Sequence, residues 1–405
     1  MTNINKKTID QIDVHGKTVL MRVDFNVPLH EDDATITDDR RIQAALPTLK
    51  SVLDRGGRLV LMSHLGRPDG TGYEAEFSLK PVATRLAELL GVPVAFPDTD
   101  CVSPKTAAAV SAMSDGDVIL LENLRFHKAE IENDKGFAKQ LAAYGDIYCD
   151  DAFGAAHRDH ASMVGVPEAM QSKPRVAGLL LERELQYLQG VIADPAHPFV
   201  AVLGGAKVSE KLGVIHKLMG KVDSILVGGA MAYTFLAAMG KTIGKSKAQL
   251  GMINDARKTL DAAAASATDL LLPSDHVCGK EMTRHSPVEV YDDNIPDGWM
   301  GLDIGPKTAG EYAALLGRAK TIIWNGPMGV AEIQPFDLGT RQIADAIAKA
   351  TKAGATTIVG GGDSAAAVHA FGMDDQFSHV STGGGASLEL LEGKRFRSVE
   401  LLDDA

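Results

Sequence analysis

Residues 202–213 read VLGGAKVSEKLG, in which two glycines close an apolar run and two lysines, Lys207 and Lys211, follow four positions apart. Lysine beside bare glycine backbone is suited to holding phosphate. The spacing is not that of a P-loop, which needs G-x-x-x-x-G-K-[ST] so that amides wrap the phosphates and a hydroxyl takes the metal. A second stretch, MGKTIGKSK at 239–247, contains GKT and GKS, yet Phe235 and Met239 stand where the pattern requires glycine. It reads as a solvated basic turn. More promising are VGGGDSAAAVHAF (359–371) and STGGGASLELLEG (381–393), which both run from triple glycine into helix-like sequence. Amides at a helix start with no Cβ in the way form an anion site, here expected at Gly361, Gly362 and Gly383–Gly385. Asp363 is the carboxylate best placed for Mg²⁺, which takes one or two protein carboxylates beside phosphate oxygens.

The earlier half presents a different chemistry. DFN (24–26), DDRRI (38–42), HLGR (64–67), ENLRF (122–126) and AAHRDH (156–160) each put an arginine, a histidine or a carboxamide at or just beyond an expected strand end. The planar fork of arginine matches carboxylate and phosphate oxygens as lysine's point charge does not. Several converging arginines therefore predict a small, multiply anionic substrate.

Short apolar runs must position these groups: 17–25, 58–66, 117–126, 146–154, 199–205, 224–229, 269–275, 321–327, 356–362 and 379–385. Runs this short and apolar throughout suit strands buried on both faces of a parallel sheet, and the longer stretches between them carry helical periodicity. The expectation is a doubly wound α/β fold, whose ligands bind outside the carboxyl ends of the strands. Leucines recur at helical spacing in RVAGLLLERELQYLQGVIADPAHP (175–198) before a proline-flanked break. That predicts a linking helix over 175–190 between a domain at 1–174 and a second at 191–390, with a cleft able to close about the helix.

With 405 residues, two domains are the natural expectation, and a formal charge of −12 argues against a nucleic-acid or anionic-membrane surface. Cys101, Cys149 and Cys278 are in no C-x-x-C arrangement, and His160, His216 and His369 show no ligand spacing, so neither a disulfide framework nor a zinc site is expected. The start MTNINKKTID lacks the apolar core of a leader, and no run is long enough for a membrane helix. A soluble cytoplasmic protein is expected.

Taken together, RVDFNVP (22–28), RIQAALPTL (41–49), SHLGRP (63–68), ENLRF (122–126), DAFGAAHR (151–158), GGAKVSEK (204–211), WNGPMGV (324–330), GGGDS (360–364) and STGGGA (381–386) closely resemble the phosphoglycerate kinase family, in the same order and through essentially the whole chain. The resemblance implies two Rossmann-like domains and a monomer that makes ATP from 1,3-bisphosphoglycerate and ADP, leaving 3-phosphoglycerate, with Mg²⁺ on the nucleotide. It assigns the phosphoglycerate to Asp24, Phe25 and Asn26, to His64, Leu65, Gly66 and Arg67, and to Arg125 and Arg158. Arg41, and not its neighbour Arg40, matches the catalytic arginine and is assigned to the phosphoglycerate as well. Lys207 matches the lysine that accompanies the moving phosphoryl group, with the amides of Gly362 and Gly385 as its catalytic companions. Lys207, Lys211, Asn325 and Gly361–Ser364 match the nucleotide site, Glu332 the carboxylate on the ribose hydroxyls, and Asp363 the Mg²⁺ ligand. The tail at about 391–405 is implied to return to the first domain.

The chemistry so implied needs no general base, because the attacking oxygen is already ionised; the obstacle is repulsion between anions. Ala331, Ala155 and Ala129 depart from residues usual in the family (phenylalanine, threonine and glycine), and none of these changes removes a charged group. A dehydrogenase reading fails because the first strand runs into VDFNVP with no glycine for a dinucleotide turn. A non-catalytic two-domain binding protein explains the arginines but leaves Lys207, Lys211 and Asp363 idle.

Overall fold

Thr18–Val23 is buried at every position, as are Ile147–Asp151, Phe199–Leu203 and Thr321–Asn325. Such segments have no face for water and pair only inside a sheet covered on both sides. The computed structural model describes residues 5–30 and 32–405, except the side chains of Val191 and Ile192. The beginning of the amino-terminal stretch read above for a leader lies outside the described residues.

The chain forms two units, Met1–Gln186 with Arg395–Ala405, and Tyr187–Lys394. In the first, β1 (Thr18–Val23), β2 (Arg58–Met62), β3 (Val94–Ala95), β4 (Val118–Leu120), β5 (Ile147–Asp151) and β6 (Arg175–Ala177) make one parallel sheet in the order β3-β4-β2-β1-β5-β6. Its core joins Val19, Met21 and Leu61 of the strands to Ile42, Leu49 and Val52 of the helix Arg40–Leu53. The tail is held within this unit: Arg175 donates to Asp403 at 2.7 Å, and the Ser398 hydroxyl donates to the Ala156 carbonyl at 2.8 Å.

In the second unit, β7 (Phe199–Leu203), β8 (Ser224–Val227), β9 (Asp269–Leu271), β13 (Thr321–Asn325), β14 (Thr356–Gly360) and β15 (His379–Val380) form a parallel sheet in the order β15-β14-β13-β7-β8-β9. The strand order reverses between β7 and β13, which makes their carboxyl ends the switch point where such sheets bind ligands. An antiparallel sheet of β10 (Asp275–Gly279), β11 (Val288–Asp292) and β12 (Met300–Ile304) stands apart from it.

Two local expectations need correction. Arg175–Ala177 is not the start of the linking helix but the sixth strand beside β5; the helix runs over Leu179–Ala193 and contains the boundary between the units. Its amino end is tied down by Asp151, whose Oδ1 accepts the Leu180 and Leu181 amides at 2.9 and 3.3 Å. The run 269–275 is also not one strand: it breaks after Leu271, and Asp275 opens the antiparallel sheet.

Candidate active site

In the first unit the strand ends converge on an arginine basin. Asp24, Phe25 and Asn26 follow β1, and the Phe25 amide is fixed by the Ser63 hydroxyl at 2.9 Å after β2. The Asn26 carboxamide accepts the Gly66 amide at 2.9 Å, while its carbonyl accepts Arg41 Nη1 at 2.7 Å. Arg41 also lies 3.5 Å from Asp24. ENLRF is built for placement. Asn123 uses both ends of its amide, accepting the Leu65 and Arg125 amides and donating to the Leu65 and Phe77 carbonyls. Arg125 then donates to the Gly66 carbonyl at 2.7 Å. The side chains of Phe25 and Leu65 belong to the core, so they offer a ligand only backbone.

The basin is electrostatically unbalanced. Burial, then Arg158 and Arg22, pull Arg125 down to about 10, with Glu130 and Asp24 acting weakly against them. Arg158 is lowered by burial, with Arg67, Arg22 and Arg41 adding to it against Asp24. The Nε atoms of Arg125 and Arg158 are buried with no hydrogen-bond partner among the described residues. Arginines crowded against their own repulsion are what a multiply charged anion relieves.

Sequence reasoning missed the residue beneath this basin. Arg22, fully buried in β1, donates to Ser162 Oγ at 2.9 Å, to the Val23 carbonyl and to His64 Nδ1 at 3.0 Å. The Ser162 hydroxyl donates in turn to Glu130 at 2.6 Å, completing a buried line Glu130–Ser162–Arg22–His64. Because arginine only donates, His64 Nδ1 must accept, and the ring is neutral with its proton on Nε2. Burial, reinforced by Arg22, Arg125, Arg158 and Arg41, holds His64 well below the usual histidine range. His160 is brought down to about 3, by burial and then by Arg125 and Arg22. The available signal for Arg22 was one cation in the otherwise apolar TVLMRV.

In the second unit the loops after β7, β8 and β13 lie backbone on backbone. The Gly204 amide donates to the Asn325 carbonyl at 2.9 Å, Gly205 to Pro327 at 3.0 Å and Gly229 to Met328 at 2.8 Å. A Cβ on Gly204 would stand 2.1 Å from the Pro327 carbonyl, so no other residue fits. At this switch point the buried Lys211 donates to Asn325 Oδ1, and burial lowers it to about 8 although Glu210 and Asp363 oppose the shift. Lys207 is different. Its side chain is 57% exposed and pairs with Glu210 at 2.9 Å.

Both triple-glycine runs open helices, Gly362–Ala370 and Gly385–Leu391. Gly361, at φ +89°, is the residue that caps the first, so Asp363 is inside the opening turn and its carboxylate is exposed. Ser364 donates to the Gly360 carbonyl and accepts the Gly326 amide at 3.1 Å, joining this helix to the switch point. The exposed Asp363 carboxylate, which acts on Lys211 and follows two glycines at the helix start, fits a hard cation carried on phosphate oxygens. Glu332 is exposed and borders a cavity of about 640 Å³ together with Ala331, Arg341 and Phe371.

A basic basin at the strand ends of one α/β unit, and a buried lysine beside glycine-rich helix starts in the other, are the equipment of a phosphotransferase. Residues 9–394 match the family model described as phosphoglycerate kinase. The phosphoglycerate kinase of Rhodopirellula baltica is 54% identical over 403 residues, covering 99% of this chain and all of its own, and that of Chloroherpeton thalassium is 51% identical over the same shares. Among solved structures, phosphoglycerate kinase from Coxiella burnetii superposes with TM-score 0.85 at 40% identity, and that from Pyrococcus horikoshii with 0.86 at 30%, each pair matched over 98% of both chains. The chain belongs to the phosphoglycerate kinase family, and it is a transferase with a carboxyl group as acceptor.

Proposed function

We propose that the protein reversibly transfers a phosphoryl group from 1,3-bisphosphoglycerate to ADP, giving 3-phosphoglycerate and ATP, as a cytoplasmic monomer with Mg²⁺ on the nucleotide. Among the described residues no helix is long and apolar enough to cross a membrane. The self-repelling arginine basin of the first unit carries this reading, because a phosphate at one end of the substrate and a carboxyl group at the other supply the charge it lacks. Asp24, Asn26, His64, Arg67, Arg125 and Arg158 hold the phosphoglycerate there. Lys211, Asn325, Gly361–Ser364 and Glu332 hold the nucleotide in the second unit.

In the ATP-forming direction a terminal oxygen of ADP attacks the acyl phosphate phosphorus, and the P–O bond to the carboxyl group breaks. The carboxylate leaves as an anion, so no proton has to move. Asp363 is the ligand for Mg²⁺, which when bound would neutralise nucleotide phosphate oxygens. Arg41 faces the acyl end of the substrate, and the exposed Lys207 follows the phosphoryl group, its surface pair with Glu210 being weak enough to exchange. The amides of Gly362 and Gly385 receive charge that builds on the transferring oxygens. With the substrates on separate units, closure about Leu179–Ala193 brings them in line and expels water that would hydrolyse the acyl phosphate.

The test is an assay with 3-phosphoglycerate, ATP and Mg²⁺, following 1,3-bisphosphoglycerate by coupled NADH consumption. Lys207→Ala and Arg41→Ala are expected to keep both ligands bound while turnover falls on the order of 10²-fold or more. Unchanged turnover in either variant overturns that residue's role. No turnover in the unaltered protein overturns the reaction.

A further inference from the structure

Cysteines and histidines lie far apart along the chain, and no transition-metal site is expected from their spacing. The fold of the first unit nevertheless gathers Asp100, Cys101 and His127, whose ligand atoms all lie within 4.8 Å of one another. We propose that these three side chains form a binding site for Zn²⁺, separate from the Mg²⁺ carried by the nucleotide.

The donor set argues for the ion. A thiol, an imidazole and a carboxylate together suit a borderline divalent cation, and three protein ligands with one position left for water is a common zinc arrangement. Mg²⁺ prefers oxygen alone, so the nucleotide's metal does not compete for this thiol. Access is one-sided. Cys101 is only 1% exposed, whereas the side chains of His127 and Asp100 are 30% and 45% exposed and form the mouth. On binding, the thiol proton leaves to solvent and sulfur becomes the anionic ligand.

The ligands are held in place by contacts of their own. Asp100 Oδ1 accepts the Val102 amide at 2.9 Å, and the Asp100 carbonyl accepts the Thr106 hydroxyl at 2.7 Å, which fixes the turn before the helix Pro104–Ser111. The His127 ring rests on Phe137, with centroids 5.0 Å apart, and its Nε2 lies 2.9 Å from Asp100 Oδ1. His127 backbone groups are bonded to Leu124 and Glu130. A bound ion exchanges the His127–Asp100 hydrogen bond for two bonds to metal. It thereby staples the turn after β3 to the ENLRF segment that carries Arg125.

Co²⁺ titrated into the full-length protein is the probe, because a thiolate bound to Co²⁺ gives a charge-transfer band in the near ultraviolet and a tetrahedral site gives intense visible bands. The expected result is an equimolar end point with both features, bleached by Zn²⁺. Cys101→Ser is expected to abolish the charge-transfer band. His127→Gln and Asp100→Asn, at part-exposed positions, are expected to weaken Co²⁺ binding tenfold or more while circular dichroism stays unchanged. No charge-transfer band in the unaltered protein overturns the site. So does a band that persists in Cys101→Ser, or Co²⁺ affinity that neither His127→Gln nor Asp100→Asn alters.

Discussion

Arg22 shows what one residue decides. It lies under the basin, its guanidinium satisfied on one side by Ser162 and on the other by His64. It is one of the causes, after burial, that hold His64 neutral. Neutral His64 presents an Nε2–H donor without adding another charge to a crowded site. Arg22→Met is therefore expected to let the His64 pKa rise part of the way towards 6.5 and to weaken 3-phosphoglycerate binding with kcat less affected. A histidine NMR titration reads the first effect, and a His64 resonance with unaltered pKa would refute it. Arg41, expected just beyond a strand end, lies instead in the first turn of the helix Arg40–Leu53, whereas Lys207 after a strand and Asp363 at a helix start were legible. Arg22 was not, because whether a charge inside an apolar run is buried or exposed depends on which elements pack over it.

At the scale of elements, β5 controls the helix that contains the unit boundary. Asp151 ends the strand, and its carboxylate accepts the first amides of Leu179–Ala193, satisfying donors that a helix start leaves open. Burial raises Asp151 to about 7, against the Thr48 hydroxyl and the Leu181 and Leu180 amides. Unfolded, an aspartate titrates near 3.9. The folded protein thus holds the extra proton between about pH 4 and 7, and stability from this group is full below that window and is lost as pH rises through it. Asp151→Asn has no such proton to release. Its stability relative to the unaltered protein, from urea unfolding at successive pH values, is expected to improve steadily from pH 4 to 7 and then level, whatever fixed offset the amide introduces. A difference independent of pH would show that Asp151 is ionised throughout. The β6 strand at Arg175–Ala177 was misread as helix because three residues carry too little periodicity to outweigh the leucines after them.

For the whole molecule, the proposed mechanism requires a change of arrangement that neither substrate alone need drive. Small-angle X-ray scattering is expected to show the radius of gyration falling when 3-phosphoglycerate and Mg²⁺–ATP are both present, and little change with either alone. An unaltered radius with both bound would remove closure from the mechanism. The order of motifs along the chain by itself determined the doubly wound fold and the family, because buried strands, glycine turns and strand-end side chains leave local marks. Only the tertiary structure decided the mutual repulsion of the arginines, the lowered Lys211 and the meeting of Asp100 and Cys101 with His127. These depend on burial and on distances between residues remote in sequence, quantities that exist only once the sheets are covered and their ends brought together.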